Sequence, residues 1–168
     1  MENSINIKIL NNVYDFYLYK KIGQKSEEIS VVIQGSINKK YIVKCLKSIK
    51  KYLPKAEVIL STWNGEDVEG LETLYDIVLF NNDPGAEIFT PDGKRQNQNR
   101  QILSTKNGVN VAQKKYVLKI RSDMELLGCK FLRYFNKYNI RNKQCKILKN
   151  RILINSLYIT WLSKSSSG

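Results

Sequence analysis

Ile29-Ser-Val-Val-Ile-Gln34, followed at once by Gly35, is a short, nearly continuous apolar run rich in β-branched residues. Such a strand suits the middle of a parallel sheet, where both faces are covered and neither needs a polar side. Outward from it, Tyr41 to Tyr52 carries Ile42, Cys45, Leu46 and Ile49 at i, i+3, i+4 and i+7. That spacing predicts a helix with one apolar stripe and lysines outside, stopping before Pro54. Glu57 to Leu60 and Asp76 to Phe80 read as the next strands, with a short connecting helix over Val68 to Leu74. Asp83-Pro84-Gly85 has the chemistry of a turn, since proline presets φ and glycine tolerates positive φ. Pro91 to Asn97 reads as a polar loop and Asn97 to Val111 as a polar helix broken near Gly108. Tyr116 to Ile120 is a fourth strand, running straight into Arg121-Ser122-Asp123-Met124-Glu125.

The alternation of strand and helix predicts a three-layer α/β/α sandwich with a mostly parallel sheet. Three segments follow: a preamble over 1–28, an α/β domain over 29–127, and a basic segment over 128–168. In the preamble Val13, Phe16, Tyr17 and Lys20 fall at helical spacing. In the last segment Phe131, Leu132 and Phe135 share a helical face, and Ile147 to Ile159 holds strand-like residues. The serine-rich ending reads as a frameshifted end or a disordered tail.

Composition narrows the classes. The 168 residues suffice for one core, and 42% hydrophobic with 26% charged residues is ordinary for a globular protein. No apolar run approaches the roughly 20 residues of a membrane-spanning helix. The N-terminus has no basic start and apolar stretch of a signal peptide, so a cytoplasmic chain is expected. Cys45, Cys129 and Cys145 are odd in number and far apart, and histidine is absent, which argues against a zinc site. The net charge is +13. After Glu125 no acidic residue occurs, whereas Lys130, Arg133, Lys137, Arg141, Lys143, Lys146, Lys149, Arg151 and Lys164 are basic. This asymmetry favours anionic partners, whether phosphates, acidic lipid surfaces or nucleic acid, and equally fits a solvated basic face.

Ligands of open α/β sheets bind beyond the carboxyl ends of the strands. Those ends here are Gln34-Gly35-Ser36, Ser61-Thr62-Trp63-Asn64, Asn81 to Gly85, and Arg121 to Glu125. Gly35 lets backbone approach a ligand, and Ser36 or Asn38 can cap a helix whose N-terminus suits phosphate. A plain strand-to-helix turn explains Gly35 equally. Trp63 can stack on a flat base, beside hydrogen-bonding Thr62 and Asn64, or can close the edge of the core. Asp123 and Glu125 form an acidic pair fit for a divalent cation shared with diphosphate, or a helix cap. Arg95, Arg100 and Arg121 are candidate phosphate clamps, because guanidinium meets phosphate with two parallel hydrogen bonds.

Five ordered blocks, VVIQGSI, LPKAEVILSTWNGEDVEGL, YDIVLFNNDPG, NQNRQILSTKNGV and YVLKIRSDMEL, together resemble the WavE lipopolysaccharide synthesis family of glycosyltransferases. The resemblance covers about Ile29 to Leu127, with a fainter echo in NRILINSLYIT. It implies a GT-A-like nucleotide-diphospho-sugar transferase fold. It implies Gln34 and Gly35 at the nucleotide end of the first strand, and Thr62 and Trp63 near the base or ribose, with Ser36 and Asn64 beside them as further nucleotide-sugar contacts read from the strand ends. Asp83, Asn99 and Arg100 would border the sugar diphosphate. Arg121, Ser122 and Asp123 would occupy the place of the metal-binding acidic motif, with Asp123 and Glu125 as ligands of Mg²⁺ or Mn²⁺. No plain D-x-D is present, so Arg121 would take over part of a cation's work. Catalysis would fall to Asp83 and Asp123, and with no histidine a general base would be a carboxylate such as Asp83 or Glu87.

The implied activity is sugar transfer from a nucleotide-sugar to a lipid-linked or lipopolysaccharide acceptor. The basic tail would rest on the inner face of the inner membrane. The family continues past this chain's end, which implies a truncated member, poor in catalysis by itself. A nucleic-acid-binding module is the rival reading of the same charge, without a binding signature to support it.

Overall fold

A computed structural model describes residues 26–88, 93, 95–134, 144 and 152. Strand β1 (Ile29–Gln34) is followed by helix α1 (Lys39–Tyr52) and strands β2 (Glu57–Trp63) and β3 (Ile77–Asn81). A two-stranded antiparallel ribbon, β4 (Glu87–Ile88) with β5 (Arg95–Gln96), leads into helix α2 (Gln98–Val111) and strand β6 (Tyr116–Arg121). The chain's contacts divide it into two units at Cys129 and Lys130. Of the second unit, a 3-10 helix spans Lys130–Tyr134. Among the described residues no helix is long and apolar enough to cross a membrane.

The main sheet is parallel throughout, in the order β3-β2-β1-β6. Central β1 is buried at every position, as its nearly continuous apolar run suits. Alternation sends Ser30, Val32 and Gln34 to the face where α2 packs, and Val31 and Ile33 to the other. Helix α2 approaches closely because its inward residues are small. Ser104 and Gly108 are its buried positions, and the Ser61 hydroxyl donates to the Ser104 carbonyl at 2.8 Å. Helix α1 presents Ile42, Cys45, Leu46 and Ile49, all fully buried. Asn38 caps it, its side chain accepting from the Lys40 N–H at 3.1 Å.

The structure corrects four sequence readings. Val68 to Leu74 is a run of turns and not a helix. Asp67 accepts from the Glu69 N–H at 2.8 Å, Glu72 from the Gly70 N–H at 3.0 Å, and Gly70 takes φ +76; such local bonds compete with helix. Helix α2 continues unbroken through Gly108, because packing against the sheet outweighs the weak helix propensity of glycine. β2 runs on to Trp63, its polar end being paired with β3. The ribbon β4–β5 was not anticipated, and it takes Arg95 into a strand. The predicted preamble helix, Phe135, the strand over 147–159 save Ile152, and the ending lie outside the described residues, as do Pro91, Asp92 and Lys94 of the polar loop.

Candidate functional site

From β1 the chain steps one way across the sheet to β2 and β3, then returns through α2 to β6 on the other side of β1. The strand order therefore reverses between β1 and β6, and a crevice opens beyond their carboxyl ends at such a point. A cavity of about 390 Å³ lies there. β1 and its turn supply Gln34, Gly35 and Ser36, and β6 and its turn supply Arg121, Ser122 and Asp123. Trp63 comes from β2, Asn38 and Tyr41 from the start of α1, and Asn97, Arg100, Gln101 and Ser104 from the start of α2.

The floor is firmly built. Gly35 has φ +120, and a Cβ there would meet Ser122 Oγ at 3.0 Å. The Ser122 hydroxyl donates to the Ser36 carbonyl at 2.7 Å and its N–H to the Gln34 carbonyl at 2.9 Å. Gln34 is 4% exposed. Its Oε1 accepts from Ser104 Oγ at 2.9 Å and Thr105 Oγ1 at 3.2 Å. Behind it runs a buried polar chain: Asn107 donates to Asn81 at 2.7 Å, and Asn81 to Ser61 Oγ at 3.0 Å. Ser104 Oγ also stands 2.7 Å from the Arg100 carbonyl, and the Gln34 side chain lines the cavity.

Two guanidinium groups stand at the rim, each held by a carboxylate. Arg100 donates through Nε and Nη2 to the two oxygens of Asp83 at 2.6 and 2.5 Å, and through Nη1 to Asn97 Oδ1 at 2.9 Å. Arg121 donates likewise to both oxygens of Asp123, at 2.9 and 2.6 Å. The Arg100 hydrogen bonds first, and the Gly85 N–H second, hold the Asp83 carboxyl below the usual range. The Arg121 hydrogen bond does the same for Asp123. The N-terminus of α2 has neither a side-chain cap from Asn97 nor an acidic residue in its first turn. Among the described residues no side chain caps its first amides, and such N–H groups suit an anion.

Of the residues expected from sequence, Gln34, Gly35, Ser36, Trp63, Arg100, Arg121, Ser122 and Asp123 come together around this cavity. Thr62 does not. It is fully buried, because strand alternation turns it to the face opposite Ser61 and Trp63. Asn64 bonds Asn82 at 2.5 Å, away from the lining. Asn99 and Glu125 also lie outside the lining, and Asp83 reaches the cavity only through Arg100. Both Asp123 oxygens accept from Arg121, and Glu125 stands outside the cavity lining. Among the described residues no three His, Cys, Asp or Glu groups are gathered for a metal. Cys45 is fully buried, and burial pushes its thiol up to about 12, away from the thiolate form. Asn97, Gln101 and Ser104 were missed. Their signal was a stripe of small and polar residues at 97, 101, 104 and 108, which marks one helix face as an apolar stripe does.

Fold and site define an α/β protein with a parallel four-stranded sheet and a cavity at its switch point. A family model, WavE lipopolysaccharide synthesis, matches residues 29–167, and the chain belongs to that family. The match extends well beyond Leu127 and takes in the basic segment. No curated protein and no solved structure matches the chain. Membership ties the chain to lipopolysaccharide synthesis.

Proposed function

We propose that the chain is a glycosyltransferase donor domain of the GT-A kind, binding a nucleotide diphosphate sugar in the switch-point cavity. The sugar would pass to a lipid-linked or lipopolysaccharide acceptor. The observation that carries this reading is the convergence of the tips of β1 and β6 with the open N-terminus of α2 and two arginines. Helix amides and guanidinium groups both favour diphosphate. Trp63 offers a face to the base, and the Gln34 amide offers donors to a carbonyl. Right-handed crossovers in opposite directions put α1 and α2 on opposite faces, which supports the three-layer arrangement.

In this reading the charge that develops on the departing diphosphate is offset by Arg100, Arg121 and the α2 amides. No step is assigned to a metal. Asp83 serves to hold Arg100 in place, since a carboxylate kept ionised by two guanidinium hydrogen bonds is a weak base. An incoming diphosphate would compete with the two carboxylates for the same guanidinium edges.

Thermal-shift measurements with UDP-, GDP-, CMP- and ADP-sugars test the reading. One donor is expected to stabilise the chain and to lose its effect with Arg100→Ala. Absence of any nucleotide effect, alongside stabilisation by oligosaccharide alone, would overturn it.

A further inference from the structure

The outer surface of α1 is the most concentrated charge among the described residues that the cavity leaves unused. Lys40, Lys44, Lys47 and Lys51 follow at i, i+4, i+7 and i+11, so they form one stripe along the helix. All four are exposed. The stripe lies opposite Ile42, Leu46 and Ile49, which are fully buried. It runs about 16 Å from Lys40 to Lys51 at the helical rise per residue. Lys39 and Lys50 flank it, and α1 contains no carboxylate. Lys39 pairs with Asp67 at 3.2 Å, whereas Lys44 and Lys47 have no ion pair among the described residues. Like charges at this spacing weaken a helix, so helix stability does not account for the stripe.

We infer that this stripe docks α1 on an anionic lipid bilayer. Three observations favour lipid over nucleic acid. The lysines form a straight row on a single helix, suited to a flat field of headgroup phosphates. No exposed aromatic residue lies within the row, since Tyr41 and Tyr52 stand beside it, under Lys40 and Lys51 at 5.6 and 5.1 Å. The family to which the chain belongs acts in lipopolysaccharide synthesis, whose product carries a lipid. Asn38 and Tyr41, at the start of the same helix, line the cavity. Docking along α1 therefore brings the cavity mouth to the headgroup layer, within reach of a lipid-borne acceptor. The docking itself does not depend on the donor reading.

Co-sedimentation of the full chain with vesicles tests this. Binding is expected to phosphatidylglycerol–phosphatidylcholine vesicles, falling as salt rises, and not to phosphatidylcholine alone. At about 1 kcal/mol per basic residue near the surface, each neutralisation costs roughly fivefold. The triple variant Lys40→Gln, Lys44→Gln, Lys47→Gln should therefore bind roughly 100-fold more weakly. Unchanged nucleotide-sugar thermal shifts in the α1 variant would show an intact fold, so that failure here leaves the donor reading standing. Equal binding by the α1 variant and the parent would overturn the inference. So would equal binding to neutral vesicles, or displacement of the chain from anionic vesicles by an oligonucleotide at matched phosphate concentration.

Discussion

Gly108 of α2 lies so close to Val32 of β1 that a Cβ built on it would stand 2.4 Å from Val32 Cγ1. Val32 is fully buried and stiff at χ1, so it cannot give way. Gly108→Ala should then cost about 2 kcal/mol net, despite the better helix propensity of alanine. Thermal denaturation should show a fall of roughly 4–8 °C. Adding Val32→Ala should recover part of it, because the two positions share one contact. A Gly108→Ala chain as stable as the parent would contradict this packing.

Arg100 is the cation expected to matter most for an anionic ligand. Its charge-assisted contacts to a diphosphate, worth about 1.5–3 kcal/mol, imply a loss of roughly 10- to 150-fold in donor affinity for Arg100→Ala. Arg100→Lys should restore only part, because an ammonium lacks the planar fork that meets two phosphate oxygens in parallel. Calorimetric titration would measure both variants.

Gln34 makes a finer prediction. Replacing it with leucine keeps most of the volume but removes the amide from the cavity lining. Affinity for the nucleotide should fall about tenfold, the value of a lost hydrogen bond and its unpaired partner. Ser104→Ala should fall less, since it loosens the amide without deleting it. Equal affinity for Gln34→Leu and the parent would remove Gln34 from the site.

The strands were legible because their apolar runs are short, β-branched and punctuated by Gly35, Pro54 and Pro84. The strand ends were legible as a meeting point because the carboxyl ends of a parallel sheet converge where its strand order reverses, and most of them line the cavity there. What sequence did not show was the role of α2. Its inward face is polar and small, with Ser104 and Gly108 against Gln34 and Val32, so hydrophobic periodicity gave no sign of it. Thr62 was misplaced for a related reason. Neighbouring residues of one strand point to opposite faces, and only the register of β2 shows that Ser61 and Trp63, not Thr62, share the face of Gln34.

The pH behaviour follows from the two Arg–Asp pairs. Asp83 and Asp123 are both held below the ordinary carboxylate range, chiefly by hydrogen bonds from Arg100 and Arg121. A depressed carboxyl contributes stability above its unfolded value, near 3.9, and loses it as pH falls through the lower folded value. With no histidine in the chain, nucleotide-sugar affinity should be flat between about pH 5.5 and 8.5. In urea melts, the stability difference between the parent and Asp83→Asn should shrink as pH drops below about 4. A tenfold change in affinity inside the flat window would contradict the pairing.

Amide chemical-shift mapping with the stabilising nucleotide-sugar is the most direct measurement of where the ligand goes. The account predicts perturbations concentrated at Gly35, Ser36, Arg100, Ser104 and Ser122, around the junction of β1, β6 and the start of α2. Perturbations confined to the β4–β5 ribbon or the outer face of α1, with the junction unmoved, would contradict it.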